Sequence, residues 1–251
     1  MLTISMQTYY GFDNISLGRP AVVSVGSFDG VHRGHQELIN RVRSMASECD
    51  ALSVVVSFEP HPRIAMGRAE GMHLLTTLKE RELLLERMGV DVFVVVHFDD
   101  RFREQTFDEF VRGSLVAKLD MCGMVVGYNH RLGRGSEGSY ESLLPLSEEL
   151  GFRLERVEQF LAEGDKVSST IVRDLFEKND VGRACELLGH SYIVVGEACN
   201  GRLLVESSYK LIPADGVYSV NIVGHGQRDI VVRDSQIIID NALCGELIIE
   251  F

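Results

Sequence analysis

Four nearly continuous apolar runs, at residues 21–25, 52–58, 92–98 and 121–126, recur through the first three quarters of the chain. Runs of this kind, without alternation, suit parallel strands covered on both faces. Between them the apolar residues fall at helical spacing. Leu38, Ile39, Val42, Met45 and Ala46 form one such set, Leu83, Leu84, Leu85 and Met88 within 78–88 another, and 107–119 and 142–150 are similar. The alternation predicts an α/β, doubly wound, Rossmann-like domain that binds ligands at the carboxyl ends of its strands. After Gly189 the helical period disappears. Short β-rich segments at 192–197, 216–223, 229–232, 236–239 and 246–251, separated by Gly, Asn and Asp, predict a small all-β domain. The expected division is residues 1–188 and 189–251, and a piece of about 60 residues buries little core of its own.

Composition narrows the functional classes. The formal net charge of −12 argues against a nucleic-acid surface, which needs clustered Lys and Arg. No apolar run is long enough to span a bilayer, so no membrane partner is expected. The first ten residues lack a basic start and an unbroken apolar core, and the expected compartment is the cytoplasm. Cys49, Cys122, Cys185, Cys199 and Cys244 form no C-x-x-C pair, so neither a disulfide framework nor a zinc site is expected. Oligomeric state is open.

Four stretches carry candidate chemistry. Gly26-Ser27-Phe28-Asp29-Gly30-Val31-His32-Arg33-Gly34-His35 follows the first buried run and opens the first helix. Glycines there let backbone approach a ligand, and the free N–H groups and positive end of the helix suit a phosphate. His32 and His35 add donors, although a helix cap and a satisfied side chain would look the same. Phe58-Glu59-Pro60-His61-Pro62 closes the second run, where two prolines fix a rigid turn. Gly127-Tyr128-Asn129-His130-Arg131-Leu132-Gly133-Arg134-Gly135 is either a loop that wraps a planar or phosphorylated ligand or a solvated surface loop. In Val167-Ser168-Ser169-Thr170-Ile171-Val172-Arg173, capping accounts for one Ser. Three hydroxyls ahead of an Arg also make a second phosphate cradle, because guanidinium offers planar, multidentate donors.

The first stretch, G-x-F-D-G-V-H-x-G-H, resembles the signature of the nucleotidylyltransferase superfamily in the form used by bacterial FAD synthetases, the bifunctional riboflavin kinase/FMN adenylyltransferases. Residues 58–62 resemble that family's F-x-P-H-P element. Residues 127–133 match G-x-D-F-x-F-G at Gly127 and Gly133, with Asn129 for the acid and His130 and Leu132 for Phe. Residues 168–173 resemble S-S-T-x-I-R, with Val172 for Ile. The resemblance covers about 9–188. It implies adenylyl transfer, in which a phosphate oxygen of FMN attacks the α-phosphorus of ATP, pyrophosphate leaves and FAD results. It implies His32, His35 and Arg173 as catalytic residues. Gly26, Ser27, Phe28, Asp29, Gly30, Gly34, Ser168, Ser169 and Thr170 would surround ATP, with Mg²⁺ bridging phosphates and Asp29 aiding the metal or the turn. Phe58, Pro60, His61, Pro62, Tyr128, Asn129 and Arg131 would meet the flavin.

Residues 188–192 and 213–218 resemble the linker and a strand entry of the riboflavin kinase barrel. The family's G-x-P-T-A-N loop has no counterpart between them, and Arg233-Asp234-Ser235-Gln236 stands where its catalytic Glu is expected. The expectation is an FMN adenylyltransferase joined to a degenerate kinase-like barrel remnant. The alternatives are a non-catalytic flavin- or nucleotide-binding paralogue and an adenylyltransferase for another phosphorylated acceptor.

Overall fold

The structure, a computed structural model, describes residues 5–131, 133–162 and 165–251, so Leu132 lies outside the described residues. The chain divides into two compact units. The first holds residues 5–28, Gly34–Glu70 and Leu84–Phe160. The second holds Asp29–Arg33, Gly71–Leu83 and the described part of 161–251.

In the first unit β1 (Gln7–Tyr10), β2 (Ala21–Val25), β3 (Leu52–Glu59), β4 (Val92–His97), β5 (Met121–Gly127) and β6 (Arg153–Val157) form one sheet in the order β1-β4-β3-β2-β5-β6. Every neighbouring pair is parallel, giving the Rossmann-like α/β arrangement. All of β2 is buried, as is the interior of β3. Valines dominate these strands because a β-branched side chain is already restricted at χ1 and packs well on a pleated surface. Neither edge strand is evident from the hydrophobic pattern. β1 has only four residues, and β6 reads Arg-Leu-Glu-Arg-Val with no fully buried position.

The helix α1 (Arg33–Glu48) buries Leu38, Ile39, Val42, Met45 and Ala46, the set its period predicts. It is followed by α2 (Pro62–Ala65), α3 (Leu78–Arg87) and α4 (Asp100–Glu104). The single helix expected at 107–119 is instead α5 (Phe107–Phe110), a π-helical stretch at Val111–Val116 and α6 (Ala117–Leu119). Gly113, a poor helix former, lies within the wider turn. α7 (Tyr140–Leu150) starts at a capping Ser139.

Winding reverses at β2. From it the chain runs outward through β3 to β4, then returns to β5 and β6 on the other side. Open parallel sheets bind ligands beyond the strand ends at such a reversal, and Gly26 is the first residue past β2.

In the second unit the hairpin β7 (Leu161–Ala162) and β8 (Asp165–Lys166) leads to α8 (Ser169–Glu177) and α9 (Val181–Leu188). Six strands follow: β9 (Ile193–Cys199), β10 (Arg202–Leu204), β11 (Gly216–Ile222), β12 (Gly226–Arg233), β13 (Gln236–Ile238) and β14 (Gly245–Glu250). They close into an antiparallel barrel in the order β10-β13-β12-β11-β14-β9. The pattern misses β10, which buries only Leu203, and starts β12 late because its first four residues are exposed. Among the described residues no helix is long and apolar enough to cross a membrane.

Two glycines give opposite expectations. A Cβ at Gly196 in β9 would meet the Leu204 carbonyl oxygen at 2.6 Å, so Gly196→Ala should cost about 1–3 kcal/mol through overpacking. A Cβ at Gly182 in α9 meets nothing within 4 Å, so Gly182→Ala should stabilise by up to about 1 kcal/mol. Thermal unfolding of both variants checks the pair, and shifts of the same sign would contradict this packing.

Candidate active site

Beyond β2 the backbone is pinned and then sharply bent. The Gly26 N–H donates to the Val56 carbonyl at 3.0 Å, and the Ser57 hydroxyl donates to the Ser27 carbonyl at 3.1 Å. Phe28, Gly30 and Val31 then adopt φ of 49°, 81° and 41°. Left-handed backbone suits Gly but strains residues with a Cβ, a β-branched Val above all. The Phe28 ring is buried and lies 5.2 Å from the His35 ring, so its visible role is to pack the turn. Gly34 and His35 belong to the first turn of α1, which contains no acidic residue to offset the positive end of the helix.

In the second unit Asp29 is the centre of the bend. Its Oδ1 accepts from the Thr76 N–H at 3.0 Å and from the Thr76 hydroxyl at 3.3 Å. Its Oδ2 accepts from Arg173 at 2.6 Å, in a pair whose side chains are 3% and 13% exposed respectively. The Gly30 N–H donates to Thr76 Oγ1 at 3.0 Å, and the Ser169 hydroxyl donates to the Asp29 carbonyl at 2.9 Å. His190 brings one ring nitrogen to the Gly30 carbonyl at 3.0 Å and the other to the Ser191 carbonyl at 2.8 Å. Both partners are acceptors, so both contacts are hydrogen bonds when each ring nitrogen carries a proton.

Of the hydroxyl run, Ser168 caps α8 through the Ile171 N–H, Ser169 holds the turn, and Thr170 is exposed. The bond to Asp29 engages one of the five N–H donors of Arg173. His32 is 7% exposed, and burial pulls its imidazole from 6.5 to about 4. The attraction of Asp29 opposes that shift, while Arg173 and His190 add smaller downward pushes. The buried ring is therefore neutral at pH 7.

A separate cleft of about 500 Å³ lies in the first unit. Phe58, Phe98, Phe102 and Phe110 form its aromatic side, with Phe58 5.7 Å and 5.4 Å from Phe98 and Phe102 by ring centroid. Arg68, Arg103, Arg131 and Arg134 border it. A flat apolar wall beside guanidinium groups suits a planar ring that carries an anionic tail. Phe58, Pro62 and Arg131 from the sequence-derived set line this cleft, whereas Pro60, His61, Tyr128 and Asn129 do not. His61 caps α2, its Nδ1 accepting from the Arg63 N–H at 3.2 Å, while Tyr128 and Asn129 are exposed. Gly133 is required where it stands: φ is 76° and a Cβ would meet the Phe107 backbone nitrogen at 2.5 Å. The His130 Nε2 is shielded and has no hydrogen-bond partner among the described residues, and burial lowers that imidazole to about 4.

The family model for FAD synthetase matches residues 15–171. The chain belongs to the FAD synthetase family. It is 31% identical over 235 residues to the bifunctional riboflavin kinase/FMN adenylyltransferase of Escherichia coli strain K12, covering 89% of this chain and 75% of that protein. An FAD synthetase of Listeria monocytogenes is 32% identical over 204 residues, covering 81% of this chain and 82% of that one. A solved Streptococcus pneumoniae structure described as a macrolide-efflux protein matches with a TM-score of 0.83 over 98% of this chain and 90% of that one. At 22% identity that likeness concerns the fold alone.

Within this FAD synthetase family member, Thr76, His190, Phe98 and Phe102 escaped the motif reading. Thr76 and His190 act through hydrogen bonds to residues far away in sequence, and the two phenylalanines read as ordinary apolar positions. The state of His32 is testable through stability. Its folded value near 4 lies below the unfolded 6.5, so its contribution is complete above pH 6.5 and is lost as pH falls through 4. By pH 5 the loss is about 2 kcal/mol. Urea unfolding at pH 7.5 and pH 5 should therefore show a gap smaller by about that amount in His32→Gln. An unchanged gap would mean that the ring is already charged in the fold.

Proposed function

We propose that this chain is an FMN adenylyltransferase, transferring AMP from ATP to FMN to give FAD and pyrophosphate. The observation that carries the reading is the Asp29 assembly. One buried residue ties together the bend before His32, the start of α8 and Arg173: its carboxylate holds Thr76 and Arg173, and its backbone carbonyl accepts from Ser169. Membership of the FAD synthetase family and the aromatic, arginine-bordered cleft support the same reading.

Attack of an FMN phosphate oxygen on the α-phosphorus, with pyrophosphate departing in line, needs little covalent help. Alignment and stabilisation of charge on the transferring and leaving oxygens lower the barrier. In our reading Gly26, Ser27, Gly30 and Gly34 leave room for the triphosphate, and His32 and His35 donate to its bridging and β/γ oxygens. Ser168, Thr170 and the remaining donors of Arg173 stabilise the pyrophosphate. Because burial keeps His32 neutral, phosphate oxygens beside it would supply the counter-charge that favours its cation. Asp29 serves the turn, since both its oxygens are engaged by Thr76 and Arg173. Mg²⁺ is accordingly assigned to the nucleotide substrate, as MgATP, and no residue of the chain is assigned to it.

The second unit bears on a second reading. Its cleft of about 600 Å³, bordered by Arg202, Ser207, Ser208 and Gln236, is large enough for a small ligand. The segment from Asn200 to Ser208 nevertheless lacks the P-T-A-N loop, so we propose that the barrel has no riboflavin kinase activity.

Purified protein with MgATP and FMN should form FAD, and with MgATP and riboflavin it should form no FMN. Separation of the flavins reads both. His32→Ala and His35→Ala should each lower kcat by roughly two to three powers of ten with folding intact, as for loss of one preorganised donor. Wild-type rates in both variants would remove these roles, and steady FMN formation would restore the kinase. Binding of FMN and ATP without turnover would favour the non-catalytic paralogue, and turnover with other phosphorylated acceptors a different substrate.

A further inference from the structure

Lys210 is fully buried, on the segment between β10 and β11. Its ammonium donates to Glu80 Oε2 at 2.7 Å, to the Leu75 carbonyl at 2.7 Å and to the Ile193 carbonyl at 2.8 Å. It also lies 4.1 Å from the centroid of the buried Tyr192 ring. Three N–H donors therefore meet three acceptors. Glu80 is equally buried and also accepts from the Thr77 N–H and the Val195 N–H, each at 2.8 Å. Burial lowers the pKa of Lys210, and the Glu80 carboxylate opposes that shift.

The peptide gripped by Lys210 is the informative one. The Leu75 carbonyl and the Thr76 N–H belong to a single planar unit. Its oxygen faces Lys210, and its N–H holds Asp29 Oδ1 at 3.0 Å. A cation on the carbonyl polarises the amide and strengthens the N–H as a donor, as in any hydrogen-bonded chain. The grip is reinforced alongside, where the Leu74 N–H donates to the Tyr209 carbonyl at 2.6 Å and the Leu211 N–H to the Leu74 carbonyl at 2.8 Å. A chain of direct contacts thus runs from Glu80 and Lys210 through one peptide to Asp29, and from Asp29 to Arg173 and the bend before His32.

A buried ion pair is a weak device for stability, since apolar residues of similar volume commonly do as well or better. What such a pair supplies is direction. We propose that Lys210 and Glu80 are positioning residues for the adenylyl transfer, holding the Leu75–Thr76 peptide so that Asp29 keeps Arg173 and the His32 turn in place. The proposal rests on the adenylyltransferase reading above. It gives the barrel a task in that reaction that needs no kinase site.

The test uses the full chain. Lys210→Met alone leaves the Glu80 charge buried without its cation and should lower Tm, whereas Lys210→Met with Glu80→Gln removes both charges, keeps one carbonyl acceptor for either the Thr77 or the Val195 N–H, and should recover part of that loss. Both should lower kcat for FAD formation by roughly ten- to hundredfold with the KM for FMN unchanged, as for misplaced catalytic groups. Asp29→Ala, which removes the carboxylate at the far end of the same chain, should lower kcat at least as much and leave little further loss when combined with the double variant. Hydrogen exchange at the Thr76 and Gly30 amides should accelerate in the double variant, and this readout does not depend on turnover. A stable double variant with wild-type kcat, or with fully additive loss on Asp29→Ala, overturns the positioning role. Unchanged exchange overturns the grip itself. Absence of FAD formation by wild type, with exchange accelerated as expected, defeats the adenylyltransferase reading while leaving the mechanical link intact.

Discussion

A bend that places a Phe and a Val in left-handed backbone within four residues cannot persist on local preference. It persists because the Asp29 carboxylate is withdrawn from water and given three contacts, from the Thr76 N–H and hydroxyl and from Arg173, while the Asp29 backbone carbonyl accepts from Ser169. Burial makes this arrangement exacting. In a low-dielectric setting a satisfied carboxylate is directional and strong, while an unsatisfied one is costly. The strain of the bend and the cost of the buried charge are therefore balanced together by the same few hydrogen bonds.

The hydrophobic pattern revealed the central strands and α1 because their burial is nearly complete and their periods clean. Val22, Val23, Val54 and Val94 have no exposed surface at all, so their environment leaves polar residues no place. Legibility failed where burial is one-sided or brief. β6 presents charged residues at a sheet edge, β10 buries a single Leu, and the stretch around Gly113 keeps helical apolar spacing while its hydrogen bonding widens to a π-helix.

The site was legible to a different degree. Strings such as Gly26 to His35 and Ser168 to Arg173 keep their polar groups in close sequence neighbourhood, and both lie where element starts were expected. The partners that fix those groups leave no such record. Thr76 is one of two adjacent threonines ahead of a helix, and nothing local says that its amide serves a carboxylate 47 positions earlier. Lys210 in a β-rich tail reads as a surface cation, and its burial follows only from three oxygens converging on it from separate segments.

Closure of the barrel limits how this chain can change. A closed sheet has no free edge, whereas removing any one of its six strands would bare two rows of unpaired N–H and C=O groups and open the apolar interior. Loops between the strands are under no such restraint. A loop can change one residue at a time, but the strands stand or fall as a ring.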